Sequence, residues 1–204
     1  MIEQGSIEWH QMRLSKVSAS RIGDVMARTK TGTSEKRNRY LMEIVSERLT
    51  GQAIDVPVTA AMQRGIDLEP EARLIVSKTL KDFTITEASV YNHPTIKMAC
   101  ASPDGLIGKY GLLEVKCQGQ LNHTKFLATG KIPKEHELQM LFQLACQPER
   151  MFSLYVVYNP SFPVKHQLGV QKIHRDNKRI KEVEDEVIRF LDDVEATLTK
   201  IKGE

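Results

Sequence analysis

Asp104, Glu114 and Lys116 are the residues of this chain whose types and spacing can do chemistry. Asp104 follows a proline in CASPDGLI (100–107), and Glu114 and Lys116 stand two apart in the apolar run GLLEVKC (111–117). Side chains alternate between the faces of a strand. Leu112, Glu114 and Lys116 therefore share one face, and Leu113, Val115 and Cys117 the other. The backbones of Glu114 and Lys116 are then about 7 Å apart. Asp104 lies in the turn-prone Pro103-Asp104-Gly105 segment, and comes beside Glu114 if the strands on either side form a hairpin. Two converging carboxylates bind a hard divalent cation such as magnesium, and the Val115 carbonyl can add a ligand. Such a cation lowers the pKa of water, and an adjacent ammonium orients that water or stabilises charge on a phosphate. Phosphodiester hydrolysis needs these parts. A strand with one solvated face has the same spacing, so the pattern permits a metal site without requiring one.

The surrounding elements are read from periodicity. RTKTGTSEKRNR (28–39) is polar and basic, and leads into a helix with Thr33 or Ser34 as N-cap. Leu41, Ile44, Val45 and Leu49 form its apolar stripe, and Gly51 stops it. A second helix covers much of 58–80, with Pro70 predicting a kink or an interruption. FTITEASVY (83–91), IKMACAS (96–102) and GLLEVKC read as strands, the last two as the hairpin arms. Pro133 opens a helix reaching about Cys146. MFSLYVVYN (151–159) is almost continuously apolar and reads as an interior strand, and VKHQLGVQKIH (164–174) as an edge strand. From Asp176 a long amphipathic helix carries Ile180, Val183, Val187, Leu191, Val194, Leu198 and Ile201 on one stripe. This order predicts an α/β fold, a central mixed β-sheet flanked by helices, in a single domain over residues 1–204.

With 29 basic residues against 26 acidic ones, the net charge of +3 is too mild to argue for nucleic acid, so local patches must carry that argument. Cys100, Cys117 and Cys146 form no Cys-x-x-Cys pair and are odd in number. They are expected to be reduced thiols in a cytoplasmic protein rather than a disulfide framework or a metal cage. The sequence has no apolar run of membrane-spanning length, and its acidic N-terminus is unlike a signal peptide. His93, His123, His136 and His174 are scattered, which points to structural or surface roles rather than metal ligation. Gln139 and Gln143 are spaced four apart, as on a solvated helix face.

SPDG followed by LLEVKC resembles the metal-binding core of the PD-(D/E)XK (restriction endonuclease-like) nucleases. The longer pattern resembles the lambda-type phage exonucleases, the YqaJ-like viral recombinases. EWHQMRLSKVSASRIGDVM (8–26), RGIDLEPEAR (64–73), CASPDGLI, GLLEVKC and ELQMLFQ (137–143) are similar to that family's segments, in its order. The resemblance implies that Asp104, Glu114 and the Val115 carbonyl hold Mg2+, as two ions, with Mn2+ able to substitute. It makes Lys116, Glu69 and Gln139 the catalytic set: Lys116 on the attacking water, Glu69 from its helix, Gln139 as support. It assigns Arg13, Ser20 and Ser102 to a pocket for the 5′-phosphate of a DNA end, and Met62 to the splitting of the duplex. Read alone, Arg13 fits a surface residue stacked on or paired near Trp9, Ser20 a helix N-cap, Ser102 a turn residue and Glu69 a charge on a helix end.

The activity so implied is 5′→3′ digestion of one strand of linear double-stranded DNA to mononucleotides, leaving 3′ overhangs for strand annealing. The implied partners are DNA ends, two further copies in a ring-shaped homotrimer and a phage single-strand annealing protein, with no membrane. The implied setting is the cytoplasm of a bacterial host, with the protein encoded by a phage or prophage. Two alternatives stand beside it: a related endonuclease or repair nuclease without end preference, and a DNA-binding recombination scaffold with an inactive nuclease fold. Retention of Asp104, Glu114 and Lys116 together argues against the scaffold. The sequence departs from the family at Leu141, where a Gln-x-Gln pair would have its second glutamine, and at Pro70 beside Glu69.

Overall fold

The computed structural model describes residues 2, 4–30, 32–55, 57–81 and 83–203. Helix α1 (Ile7–Arg13) starts at Ser6, whose hydroxyl accepts from the Trp9 amide and so satisfies one of the free donors of the first turn. Strand β1 (Val17–Ser18), a 3-10 turn over Ala19–Arg21 and the one-turn helix α2 (Ile22–Val25) follow. The basic segment forms a small exposed hairpin, β2 (Arg28–Thr29) with β3 (Gly32–Thr33), before α3 (Glu35–Thr50). Ser34 caps α3 and Gly51 ends it at φ 70°, a left-handed conformation that glycine adopts without strain.

Helix α4 (Ala60–Thr79) runs through Pro70 without the expected interruption. Pro70 and Ile66 are both exposed, so the Ile66 carbonyl that Pro70 leaves without a donor is open to water. The expected strand over 83–91 is divided into β4 (Ile85–Thr86) and β5 (Tyr91–Asn92). Next come β6 (Ala99–Ala101), β7 (Gly105–Ile107) and β8 (Gly111–Cys117). Strand β4 pairs with β7, whereas β5 pairs with β6 in a different sheet, so the extended run changes sheets at residues 87–90. The remaining elements are α5 (Gln120–Thr129), α6 (Lys134–Ala145), β9 (Phe152–Tyr158), β10 (Leu168–His174) and α7 (Asn177–Lys202).

The five-stranded sheet has the order β10-β9-β8-β7-β4. Its β8–β9 pair is parallel and its other pairs are antiparallel, which makes the sheet mixed. A Cβ at Gly111 would collide with the Phe152 ring and the Ile107 side chain, so glycine is what lets β8 begin between its two neighbours. On one face of the sheet, Leu113, Val115, Leu154 and Val156 pack against Ala72 and Val76 of α4. On the other, Leu112 joins the main core with α6, α3 and α7, while Tyr155 and Val157 pack with Phe126 and Met140. The sheet therefore has helices on both faces, as the element order predicts. The α7 stripe buries Ile180, Val183, Val187, Val194 and Leu198 as expected. Phe190, outside the expected stripe, is also buried and stacks on Tyr40 at 5.3 Å, while Ile201 is 56% exposed near the helix end.

Candidate active site

The carboxylate pair is set by a hairpin, but not by the expected one. Strand β6 lies in the other sheet, and β7 is the partner of β8, with Gly105 opposite Leu113. Asp104 immediately precedes β7. Its amide donates to the Leu113 carbonyl at 3.0 Å, and its Oδ2 accepts from the Val115 amide at 2.6 Å. This reciprocal pair places the Asp104 carboxylate against the backbone between Glu114 and Lys116.

Glu114 is 1% exposed. The face that strand alternation left as potentially wet is covered by α6, and both carboxylate oxygens are held there. Oε1 accepts from Gln139 Nε2 at 2.6 Å and lies 2.5 Å from Lys116 Nζ. Oε2 accepts from Gln143 Nε2 at 2.6 Å. Lys116 also donates to Gln139 Oε1 at 3.3 Å. The expected solvated face at Gln139 and Gln143 is thus a buried clamp. A polar pair four apart on a helix looks the same in sequence whether it meets water or a buried carboxylate, and so Gln143 was missed. Leu141, the departure from the family pair, faces the apolar core.

Burial and neighbouring charges set the electrostatics of the cluster. Burial pushes the Asp104 carboxyl up to about 8, the Glu114 charge adds to this, and Lys116 with the Val115 amide opposes it. Burial also disfavours the Lys116 ammonium, but Glu114 and Asp104 outweigh it and hold its pKa above the usual lysine value. A cation held between the two carboxylates would favour the ionised form of Asp104. Among the described residues, no group of three or more His, Cys, Asp or Glu side chains forms a metal cage. Magnesium suits such a pair, because it is usually held by one or two carboxylates plus water and substrate phosphate. Glu69 does not touch the pair. It is bound by Arg73 at 2.5 Å, though its charge reaches Asp104 and Lys116. Cys117 borders the site with a thiol that burial, then Glu69 and Asp104, push up to about 11, which leaves it un-ionised and a poor nucleophile near neutral pH.

A second cluster lies at α1. The Arg13 guanidinium stacks 4.1 Å over the Trp9 ring and donates to Ser20 Oγ at 3.4 Å, and Ser20 Oγ is 3.2 Å from Ser18 Oγ. Trp9 Nε1 donates to Ser102 Oγ at 2.9 Å. Ser20 lies inside the 3-10 turn and caps no helix. Arg13, Ser18, Ser20, Lys16, Arg21 and Met62 line one cleft of about 340 Å³. Ser102 precedes Asp104 by two residues, so one short segment ties this cleft to the carboxylates.

The profile of the YqaJ-like viral recombinase domain matches residues 8–148, which include both clusters. The chain belongs to the YqaJ-like viral recombinase family. Within the wider fold, it is similar to the alkaline exonuclease LHK-Exo from Laribacter hongkongensis, with 40% identity, a TM-score of 0.88 and 97% of this chain aligned to 96% of that one. The structure of LHK-Exo in complex with dAMP gives a TM-score of 0.89 at the same identity and coverage. A phage related exonuclease from Haemophilus somnus shares the fold at a TM-score of 0.72, with 12% identity over 91% of this chain and 96% of that one. No curated protein matches the chain.

Proposed function

We propose that this YqaJ-like protein is a magnesium-dependent exodeoxyribonuclease. It digests one strand of linear duplex DNA from the 5′ end, releases mononucleotides and leaves a 3′ single strand. The observation that carries this reading is the tie between the two clusters: the buried Glu114 carboxylate touching the Lys116 ammonium, with Asp104 held on the Val115 amide beside them and joined through Ser102 to an arginine–serine cleft. Likeness to an alkaline exonuclease at 40% identity supports the same class of activity.

Asp104, Glu114 and the Val115 carbonyl would hold the magnesium, as one ion or two, with manganese a substitute. When bound, the metal supplies Lewis acidity toward the phosphate and lowers the pKa of water. The chain's own groups do the rest. Gln139 and Gln143 fix both oxygens of Glu114, so the carboxylate cannot rotate away. Lys116, kept charged by Glu114, orients the attacking water and stabilises charge developing on the phosphate. Glu69, released from Arg73, adds a carboxylate at the edge of the site. Arg13 with Ser20 offers donors matched to a terminal phosphate, and Trp9 holds Ser102 alongside. Met62, on the cleft wall, is an apolar surface on which a duplex end can part.

Family membership extends the proposal to a ring-shaped homotrimer around the duplex, a phage single-strand annealing protein as partner, and action in the cytoplasm of a bacterial host. Among the described residues no helix is long and apolar enough to cross a membrane.

Incubation with magnesium and either linear or covalently closed duplex tests the reading. Mononucleotides are expected from the linear form only. Rapid loss of the closed circle overturns the requirement for an end, and an Asp104→Ala variant that cleaves as well as wild type overturns the mechanism.

A further inference from the structure

His136 stands one turn before Gln139 on α6 and has no part in the reading above. Its Nδ1 is 2.7 Å from the Tyr155 hydroxyl, and the same hydroxyl accepts from Gln118 Nε2 at 2.9 Å. A phenol has one hydrogen to give. With Gln118 donating to the oxygen, that hydrogen is available to His136 Nδ1. A neutral imidazole that accepts at Nδ1 carries its own hydrogen at Nε2. Two consecutive hydrogen bonds thus accommodate the Nε2–H tautomer.

The place of this ring matters as much as its tautomer. Tyr155 is the cross-strand partner of Glu114, and its ring packs at 5.6 Å from the imidazole. His136 is thus carried to the edge of the carboxylate–lysine cluster. Burial, then the nearby Lys116 charge, lower its pKa and favour the neutral ring. The side chain stays 23% exposed, and the Glu135 carboxylate stands 3.9 Å from Nε2, beyond a hydrogen bond. Among the described residues Nε2 has no acceptor. The ring lies in the first turn of α6, where the helix dipole is already met by the Glu135 and Glu137 carboxylates. An Nε2–H without an acceptor, within reach of the Lys116 charge, suits a phosphate oxygen.

We propose that His136 is a phosphate-binding residue of this site, with its Nε2–H donating to a non-bridging oxygen of the DNA strand that passes Lys116. The proposal rests on the nuclease reading for its substrate, but its test does not depend on cleavage alone. His136→Asn keeps a short amide able to bond Tyr155 and removes the outer donor. His136→Gln places an amide N–H where Nε2–H lies and sacrifices the Tyr155 bond. Both variants are compared with wild type in two assays: kcat/KM on a 5′-phosphorylated duplex with magnesium, and equilibrium binding of a phosphorothioate duplex with calcium. His136→Asn should lose about 10- to 100-fold in both, the size of a hydrogen bond to a charged oxygen, while His136→Gln stays within about threefold. The reverse order, which a purely structural bond to Tyr155 predicts, overturns the proposal. Equal behaviour of the two variants, or no loss in either, overturns it as well. If wild type cleaves nothing, the nuclease reading fails, and the binding comparison still decides the role of His136.

Discussion

Gln143 donates to Glu114 Oε2 at the same 2.6 Å at which Gln139 holds Oε1. A wholly buried carboxylate thus has both oxygens fixed by amides from one helix, spaced one turn apart. Replacing Gln143 with leucine keeps the volume and removes one donor. The expected cost is about 1–3 kcal/mol of stability, from a buried charge left short of a partner. The expected functional effect is a 10- to 100-fold rise in the magnesium concentration needed for half-maximal activity, roughly what loss of an outer-shell partner costs. Thermal melting and a magnesium titration of cleavage check the two parts. An unchanged titration would show that Gln139 alone suffices.

Asp104 makes the metal-free protein sensitive to pH. Its carboxyl is pushed from 3.8 in an unfolded chain up to about 8 in the fold, chiefly by burial and then by Glu114. Between those values the folded state keeps a proton that the unfolded state has lost, so the contribution of this group to stability falls as pH rises from 4 to 8. In EDTA, wild type should lose thermal stability over that window. Asp104→Asn, which cannot ionise, should lose less and melt higher than wild type at pH 8, although it should be inactive. If the proposed site holds magnesium, the cation would compete with the proton, and the thermal shift it induces in wild type should grow with pH. Melting curves with and without EDTA across pH 5–9 measure both trends.

Much of this was legible because it is local. Strand alternation alone put Glu114 and Lys116 on one side of GLLEVKC, the turn chemistry of Pro103-Asp104-Gly105 brought Asp104 near, and the caps at Ser34 and Gly51 bounded their helix correctly. What could not be read depends on partners far away in sequence. Whether residues 96–102 or 105–107 pair with β8 is decided by β1 and β5, which draw β6 into the other sheet. The burial of Gln143 depends on α6 crossing the Glu114 face, and the hydrogen bond of His136 on Tyr155, which is 19 residues on. Helix α5 escaped notice because it buries only His123 and Phe126, too little for a periodic stripe.

The α3–α7 contact offers a test of the core that leaves the site alone. Phe190 is fully buried, stacked on Tyr40 and under the Arg37 guanidinium at 5.1 Å. Phe190→Ala opens a cavity and should cost about 3–5 kcal/mol. Denaturant unfolding followed by far-UV circular dichroism should record the loss. At temperatures where the variant is folded, its specific activity should match wild type, because Phe190 stacks on Tyr40 and Arg37 and is no part of the Glu114–Lys116 pair or its hydrogen bonds.

On the proposed function, Arg13 is the residue that would separate recognition of an end from the chemistry of cleavage. Its guanidinium makes no ion pair among the described residues and is half-exposed, held by the Trp9 ring and Ser20 with its pKa lowered by partial burial. A terminal phosphate would supply an anion for it. Arg13→Ala should therefore cut kcat/KM on 5′-phosphorylated duplex by about 10- to 100-fold and change little on the 5′-hydroxyl form, so that the preference for phosphate collapses. Arg13→Lys should recover only part of it, because an ammonium keeps the charge but neither stacks on Trp9 in the same way nor presents a planar fork. Equal losses on both ends would assign Arg13 to holding α1 in place through Trp9 instead. Parallel melting curves separate those cases, since a residue that binds only the phosphate leaves the melting temperature of the free protein unchanged.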